Sequence, residues 1–315
     1  MGSRSAPAMI LASLLRAMRP LQWVKNVFVL AALFFSRAAG EGPAGAPYDP
    51  SDLSDVWRTL YALCAFILAS GAVYLVNDLA DVEGDRKHPE KRTRPIASGE
   101  LPVGAARTAA LAATAAAFAL GWLAGGEPLS VGWVLLAYMA INLLYSFRLK
   151  HIVLVDVFCI AAGFLLRVIA GGLAAGAHVS QWLMLCTLFL SLFIGLCKRR
   201  AEIDLLGGDG GDHRATLSEY DRGFLDQMVT VLAACTIVCY TMYTVSPEVR
   251  DKFETDKLVW TVPFVVFGLG RYMLLVQTQR AGASPSRTLL GGDAAFVCNC
   301  AAWLVTVALV VYGPF

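Results

Sequence analysis

The chain alternates between long apolar runs and short polar connectors along its whole length. Each run holds about twenty residues, the length that an α-helix needs to cross the hydrocarbon core of a bilayer. The pattern predicts a single domain of nine membrane-spanning helices. We place these helices at about 22–40, 56–76, 105–124, 129–147, 152–172, 181–197, 224–246, 257–277 and 291–313.

Composition supports the same class of protein. Hydrophobic residues make up 57% of the chain, charged residues 16%, and the mean hydropathy is +0.60. Charged residues form about a quarter of an ordinary soluble domain, so an all-α polytopic membrane protein is expected. A nucleic-acid partner is not expected. Arg16, Arg19 and Lys25 follow the first apolar stretch where a signal peptide would be cleaved, which argues against such a peptide.

The cysteines do not predict a disulfide framework or a zinc site. The chain has 8 cysteines, and no two of them form a C-x-x-C pair. Most lie inside apolar runs, where a free thiol behaves as a small apolar side chain. Buried free thiols are therefore expected.

The basic residues predict the orientation in the membrane. With the nine spans in place, 19 Lys and Arg residues fall on one side and 5 on the other. Basic loops stay in the cytoplasm, so we expect a multi-pass protein of the plasma (inner) membrane with a cytoplasmic N-terminus. The two long loops, 77–104 and 198–223, lie on that side. The helices are expected to surround a cavity that faces the cytoplasm.

A polar segment follows the second apolar run directly and is the first candidate for chemistry. Asn77, Asp81 and Asp85 are spaced four apart, which places them on one face of a helix. Amide and carboxylate oxygens are ligands that Mg²⁺ prefers, and bound Mg²⁺ commonly bridges to phosphates. We therefore predict metal ligands and catalytic residues at these positions. The alternative is a solvated helix end with acidic residues there by chance.

Basic residues come directly after the acidic segment. Arg86, Lys91 and Arg94 are candidates for substrate binding, and Arg94 is favoured because a guanidinium binds phosphate with two hydrogen bonds. The same charges would also follow from membrane topology alone or from attraction to anionic lipids. Acidic residues that can bind a metal lie next to basic residues that can bind an anion. This combination predicts a site for a diphosphate substrate, and therefore an enzyme.

A second charged segment, K-R-R-A-E, ends the sixth predicted span. Topology alone would explain its bases, and Lys198 and Glu202 are spaced for an ordinary helical ion pair, so substrate binding and the simpler explanation stay equally open. The further candidates for substrate binding in this part of the chain are Tyr145, Lys150, Asp156 and Arg199.

Two arginines lie within predicted spans, where ionisable groups usually face other helices and pair. Arg167 follows Asp156 by 11 residues, which is about 16 Å along a helix. That distance is too long for both to bind one phosphate, so a structural or lipid-contacting role is expected for Arg167. Arg271 is compatible with either role.

The motif N-D-x-x-D-x-x-x-D followed by R-P-I-A-S-G resembles the UbiA-type intramembrane prenyltransferase superfamily. The start R-P-L-Q-W-V-K-N and the K-R-x-A-E segment resemble one branch, which transfers phosphoribosyl groups to polyprenyl phosphates such as decaprenyl phosphate. Typical aromatic prenyltransferases of the superfamily carry a second D-x-x-x-D. Here Asp81 and Asp85 form the sole D-x-x-x-D in the sequence, and 198–202 stands where the second is expected. Further matching segments are 145–146, 149–151, 156–171 and 270–272.

The resemblance implies an enzyme that moves the 5-phosphoribosyl group from 5-phosphoribosyl 1-diphosphate to a polyprenyl phosphate, releasing diphosphate. In the family the product feeds arabinan and arabinogalactan synthesis in cell-wall biogenesis. Mg²⁺ would lie on Asn77 and Asp81, with Asp85 close by. Glu202 would bind ribose hydroxyls or a second metal, and a homo-oligomer is compatible with the resemblance. Donor phosphates would be held by Lys25, Arg94, Lys198 and Arg199.

Two other functions are compatible with parts of the pattern. A prenyltransferase that moves an isoprenoid from its diphosphate to an aromatic or lipid acceptor shares the first acidic motif but should need the second. A transporter or channel would carry ionisable residues deep in several spans. Most charges here cluster at one face instead, which disfavours the transporter.

Overall fold

The computed structural model of the chain describes residues 6–38, 40, 49, 51–88, 91–125, 129–206, 219–278 and 293–312. Helices joined by turns make up these residues, and none of them forms a β-strand. The predicted all-α class is confirmed. The described α-helices are α1 (Ala6–Ala17), α2 (Ala31–Ala38), α3 (Ser54–Ala80), α4 (Val82–Lys87), α5 (Val103–Leu123), α6 (Val131–Phe147), α7 (Val155–Ala175), α8 (Gln181–Leu206), α9 (Arg222–Val245), α10 (Pro247–Phe253), α11 (Val262–Gln277) and α12 (Ala294–Tyr312).

Helices long and apolar enough to cross a bilayer recur through the chain. In the part that the structure describes there are 7 of them: α3, α5, α7, α8, α9, the stretch Lys257–Gln277 and α12. The apolar helix α6 is shorter, at 17 residues. The protein is therefore an integral membrane protein, as the hydropathy pattern predicted.

The first predicted span, 22–40, is not one regular α-helix. Pro20–Leu30 forms a 3₁₀ helix, and only the following 8 residues are α-helical. A 3₁₀ helix this long is uncommon and needs support from its surroundings. Its support comes from Asn26 and Val29, which are both fully buried against other segments. Hydropathy reports burial in an apolar medium and does not distinguish these two kinds of helix.

The described residues divide into two compact units. The first unit takes the described residues within 1–33, 49–146 and 166–177, and the second takes those within 34–48, 147–165 and 178–315. In the first unit, α3 and α5 pack along each other through small side chains, which allow two backbones to approach closely. The buried alanines recur three or four residues apart: Ala62, Ala65, Ala69 and Ala72 on α3, and Ala106, Ala110, Ala113 and Ala117 on α5.

Arg167 joins several helical segments of the first unit. Its guanidinium donates to Oδ1 of Asn26 at 2.8 Å and to the hydroxyl of Tyr138 at 3.0 Å. It also lies 4.8 Å from the ring centre of Tyr138 and 5.6 Å from that of Phe66. The side chain is only 6% exposed. Its two hydrogen bonds and its contacts with two aromatic rings together replace the water that a charged group would otherwise bind. The expected structural role of Arg167 agrees with these contacts.

The second unit is held by apolar packing and by hydrogen bonds between helices. The hydroxyl of Tyr240 on α9 lies 2.7 Å from Oγ1 of Thr261 and accepts from Nε1 of Trp303 at 3.0 Å. Asn299 on α12 donates to the carbonyl of Phe264 on α11 at 2.9 Å. Buried polar groups in an apolar medium need such partners, so these bonds specify which helices pair.

All eight cysteines are free, as predicted. Cys197 is buried in the core of the second unit, whereas Cys64 and Cys298 are exposed on the helix surfaces. The expectation of burial inside the protein is therefore correct for Cys197 and wrong for the two exposed thiols. An apolar run in a membrane protein has lipid-facing positions as well as core positions, and hydropathy cannot separate them.

We expect Gly171→Ala to lower the thermal unfolding temperature of the purified protein. A Cβ at this position would lie 2.0 Å from the carbonyl oxygen of Val29, which is backbone and cannot rotate away. Overpacking of this kind typically costs about 1–3 kcal/mol. Unfolding followed by circular dichroism in detergent measures the change.

Gly104→Ala is the matched control, because Gly104 is helical and a Cβ there meets no atom within 4 Å. It should leave the unfolding temperature unchanged or raise it slightly, since alanine favours a helix over glycine. Equal effects of the two substitutions would contradict the close approach of Gly171 to Val29.

Candidate active site

The acidic segment of the first unit runs from the end of α3 into α4, with a break in the regular helix at Asp81. The helix α3 ends at Ala80, and α4 begins at Val82. Backbone hydrogen bonds still join Asp81 to Asn77 at 3.0 Å and Asp85 to Asp81 at 2.8 Å. The i, i+4 relation on which the metal prediction rests is therefore kept in the backbone.

The three predicted metal ligands have different surroundings. Asn77 is half-buried, and its side-chain oxygen accepts a hydrogen bond from the hydroxyl of Ser146. Asp85 is 4% exposed and accepts from Arg94 at 2.7 Å. Asp81 is exposed, and its carboxylate makes no hydrogen bond or ion pair within the described residues. Asp81 is therefore the one of the three whose side chain is already available to a cation.

Asp78 is the most buried carboxylate of this segment, and its spacing does not mark it as a predicted metal ligand. It is 2% exposed and forms ion pairs with Arg19 at 2.7 Å and with Arg94 at 3.2 Å. The guanidinium of Arg19 also lies 4.5 Å from the ring centre of Tyr74. Arg94 joins Asp78 to Asp85, so one network includes the start of the first 3₁₀ helix, the end of α3, and the basic loop.

The other predicted residues of the first unit range from half-buried to exposed. Arg86 forms an exposed pair with Glu83 at 3.0 Å, of a kind worth little stability. Lys91 is exposed, and Lys25 and Tyr145 are half-buried. Of the residues predicted in this unit, the structure brings Asp85 and Arg94 into direct contact, through an ion pair at 2.7 Å.

The side-chain oxygens of this segment are ligands of the kind that a hard cation prefers. Within the described residues, no three His, Cys, Asp or Glu side chains gather as a metal cluster. Mg²⁺ does not require such a cluster, because it keeps several waters and takes one or two carboxylates together with substrate phosphates. An exposed carboxylate at Asp81, with an amide oxygen at Asn77 and a second carboxylate at Asp85, fits that preference.

A second ionic cluster lies in the second unit. Arg199, at 1% exposure, donates through Nε to Asp156 at 2.7 Å and through its other end to Glu202. Lys198 also pairs with Glu202 at 3.5 Å, which confirms the ion pair predicted from their spacing. Lys150 is half-buried in the turn before α7. Arg199 is thus occupied by carboxylates at both ends, whereas Lys198 and Glu202 are partly exposed.

Tyr220 completes the second cluster and was also missed by the sequence analysis. Its hydroxyl donates to Oδ1 of Asp156 at 2.8 Å. Burial raises the pKa of Tyr220 above the usual value of a tyrosine. The hydroxyl therefore keeps its proton at neutral pH and remains a donor. A tyrosine beyond a Gly- and Asp-rich loop carries no sequence signal for this contact.

An integral membrane protein with acidic and basic clusters at helix ends has the features of an intramembrane transferase for phosphorylated substrates. The model of the UbiA prenyltransferase family matches residues 27–198. This match covers more than half of the chain, and the chain belongs to that family.

Relatives align over almost the full length. The decaprenyl-phosphate phosphoribosyltransferase of Corynebacterium glutamicum is 37% identical over 313 residues, which cover 98% of this chain and 90% of that protein. The enzyme of the same description from Mycolicibacterium smegmatis is 33% identical over 311 residues, covering 97% of this chain and 94% of the relative.

Solved structures share the fold at low sequence identity. A UbiA homolog from Archaeoglobus fulgidus bound to GPP and Mg²⁺ has a TM-score of 0.66 at 18% identity, covering 95% of this chain and 99% of that one. A UbiA homolog from Aeropyrum pernix K1 has a TM-score of 0.63 at 14% identity, covering 95% and 99%. These likenesses confirm the UbiA fold.

We expect Asp78→Ala to lower the unfolding temperature more than Asp81→Ala. Removing the carboxylate of Asp78 leaves Arg19 and Arg94 close together without their shared counter-ion, and breaking a buried ion pair in this way is costly. Asp81 is exposed, so its removal should be nearly neutral for stability. Unfolding in detergent at neutral pH compares the two variants, and equal temperatures would contradict the ion-pair network.

Proposed function

We propose that the protein transfers the 5-phosphoribosyl group from 5-phosphoribosyl 1-diphosphate to a polyprenyl phosphate such as decaprenyl phosphate. The observation that carries this proposal is the similarity to decaprenyl-phosphate phosphoribosyltransferases over 97–98% of the chain. The ionic clusters support it, because a donor with several phosphates needs cations and a metal to bind it.

The reaction exchanges one bond at carbon 1 of the ribose. An oxygen of the acceptor phosphate attacks C1, and the bond from C1 to the diphosphate oxygen breaks. The diphosphate leaves with the bonding electron pair. The second pKa of a phosphate monoester is about 6, so the acceptor is largely ionised at neutral pH. No general base is needed to activate it.

In the first unit, the side chains act on the leaving diphosphate. Asn77, Asp81 and Asp85 would hold Mg²⁺, which supplies positive charge to the phosphate oxygens when bound. Arg94 donates to phosphate oxygens and, in the structure, is held by Asp78 and Asp85. Lys25, Arg86 and Lys91 extend this basic region, and Tyr145 adds a hydroxyl. We assign diphosphate recognition to Arg94 first.

In the second unit, Lys198 and Glu202 are the groups that reach substrate. The side chain of Lys198 is 38% exposed and that of Glu202 22% exposed, so both are accessible. Lys198 binds a donor phosphate, and Glu202 accepts hydrogen bonds from ribose hydroxyls or holds a second metal. Arg199 is buried between Asp156 and Glu202 and orients them. Lys150, in the turn before α7, adds positive charge.

The same proposal includes an orientation in the membrane. The N-terminus and the loops 77–104 and 198–223 would lie in the cytoplasm, where a soluble phosphorylated sugar donor is available; the excess of basic residues on that side supports this orientation. Nine crossings then place the C-terminus outside, and the polyprenyl chain stays in the bilayer. Assembly as a homo-oligomer and a role in cell-wall arabinan synthesis are part of the proposal.

A second candidate is transfer of an isoprenoid from its diphosphate to an aromatic or lipid acceptor. The family that the chain belongs to is described as a prenyltransferase family. Against this candidate, 198–202 carries three bases and one acid where a second acidic motif is expected.

A membrane assay distinguishes the two candidates. Labelled phosphoribosyl diphosphate and decaprenyl phosphate are supplied with and without Mg²⁺, and the lipid phase is extracted and counted. Mg²⁺-dependent label in the lipid supports the phosphoribosyltransferase. Activity only with a prenyl diphosphate and an aromatic acceptor would assign the protein to the second candidate.

Asp81→Ala should abolish turnover while the protein stays inserted and folded. Its exposed carboxylate has no partner within the described residues, so its loss removes a metal ligand without disturbing an ion pair. The transfer assay measures turnover, and unfolding in detergent checks the fold. Full activity in this variant would exclude the metal role of Asp81.

Arg94→Ala should raise the apparent KM for phosphoribosyl diphosphate by about tenfold or more, because hydrogen bonds to charged groups contribute about 1.5–3 kcal/mol. Arg92→Ala is the control: Arg92 is exposed and makes no side-chain hydrogen bond or ion pair within the described residues. If both substitutions change KM equally, the effect is one of general charge and not of Arg94.

A further inference from the structure

Tyr220, two residues before the start of α9, contacts the turn before α7. It is 5% exposed, although it lies outside every predicted motif. Its hydroxyl accepts a hydrogen bond from the backbone N–H of Leu154 at 2.8 Å and donates one to Oδ1 of Asp156 at 2.8 Å. One hydroxyl therefore satisfies a backbone donor and a buried carboxylate within the second unit.

Leu154 has a backbone conformation that needs such support. Its φ is +66°, in the left-handed region that residues other than glycine rarely adopt. A residue held there persists only when its surroundings constrain it. The hydrogen bond from its N–H to Tyr220 is one such constraint, and it orients the start of α7, where Asp156 lies.

Asp156 is connected through Arg199 to Glu202, the more exposed part of the cluster. Its Oδ2 accepts from Nε of Arg199 at 2.7 Å, and both side chains are 1% exposed. Arg199 in turn donates to Glu202, whose side chain is 22% exposed. The guanidinium is planar and rigid, so the direction of its bond to Asp156 also sets the direction of its bond to Glu202.

We propose that Tyr220 is a positioning residue for donor binding: through Asp156 and Arg199 it orients Glu202 toward the donor. The inference rests on the proposed function, because Glu202 is assigned there to the ribose hydroxyls or a second metal. Tyr220 itself does not touch substrate. Without the hydroxyl of Tyr220, the cluster keeps its charges, but Asp156 is no longer held in one orientation.

Tyr220→Phe tests this role, because it removes only the hydroxyl. The apparent KM for phosphoribosyl diphosphate should rise by roughly tenfold, because Glu202 is no longer held in one orientation and misplacing a group that positions the substrate is costly. The apparent KM for the polyprenyl phosphate should stay the same. Glu202→Gln should raise the donor KM as well, and the double variant should show less than the product of the two effects because both act through one group.

Tyr240→Phe is the matched control. Its hydroxyl is also bonded to two groups of the second unit, Thr261 and Trp303. It lies 18 residues beyond the start of α9, which is about 27 Å along the helix. It should lower the unfolding temperature as Tyr220→Phe does but leave the donor KM unchanged. If neither substitution changes KM, or both change it equally, Tyr220 has only a structural role and the proposal is wrong.

Amide hydrogen exchange tests the geometry without an activity assay. In Tyr220→Phe, the N–H of Leu154 loses its acceptor and should exchange faster, whereas Tyr240→Phe should leave that amide unchanged. Unchanged exchange at Leu154 in Tyr220→Phe would overturn the proposal. If the wild-type protein uses a different diphosphate donor, the KM for that donor is measured instead. In that case the proposed function fails, and a selective effect of Tyr220→Phe would still support its positioning role.

Discussion

Buried charged groups at the ends of membrane helices must be neutralised, and this requirement organises both units of the protein. Water is scarce near the hydrocarbon, so a buried charge needs a partner of opposite sign. Asp78 forms ion pairs with Arg19 and Arg94 in the first unit, and Asp156 forms one with Arg199 in the second. These pairs connect segments distant in sequence. Removing one partner therefore affects the fold as well as the chemistry, and activity alone cannot identify the role of a residue in either cluster.

The sequence predicted the class of fold well because apolar runs of this length have few alternatives to a membrane helix. It predicted the ends of the helices less well. The second run was placed at 56–76, but α3 continues to Ala80, and the sixth was placed at 181–197, but α8 continues to Leu206. Hydropathy marks where a helix leaves the apolar layer. The backbone hydrogen bonds continue beyond that point, so Asn77 and Glu202 still lie within regular α-helices.

The candidate site was predicted in part. The ion pair of Lys198 with Glu202 is confirmed. The metal role of Asn77, Asp81 and Asp85, which rests on their spacing, stays a prediction. Spacing along one helix cannot reveal a partner on another segment. The burial of Asp78 depends on Arg19, 59 residues away, and the contact of Tyr220 with Asp156 spans 64 residues. Both residues were missed because the sequence gives no local signal for such distant contacts.

The hydrogen bond from Arg167 to Asn26 has a consequence for biosynthesis. The two residues are 141 positions apart, so Asn26 is synthesised long before its partner. Until α7 is inserted, the buried amide has Ser70 nearby, at 3.5 Å in the finished fold. A polar group in hydrocarbon without its full set of partners is unfavourable. The first unit therefore cannot reach its final packing from the N-terminal half of the chain alone, and the translation of α7 sets the earliest time at which it is complete.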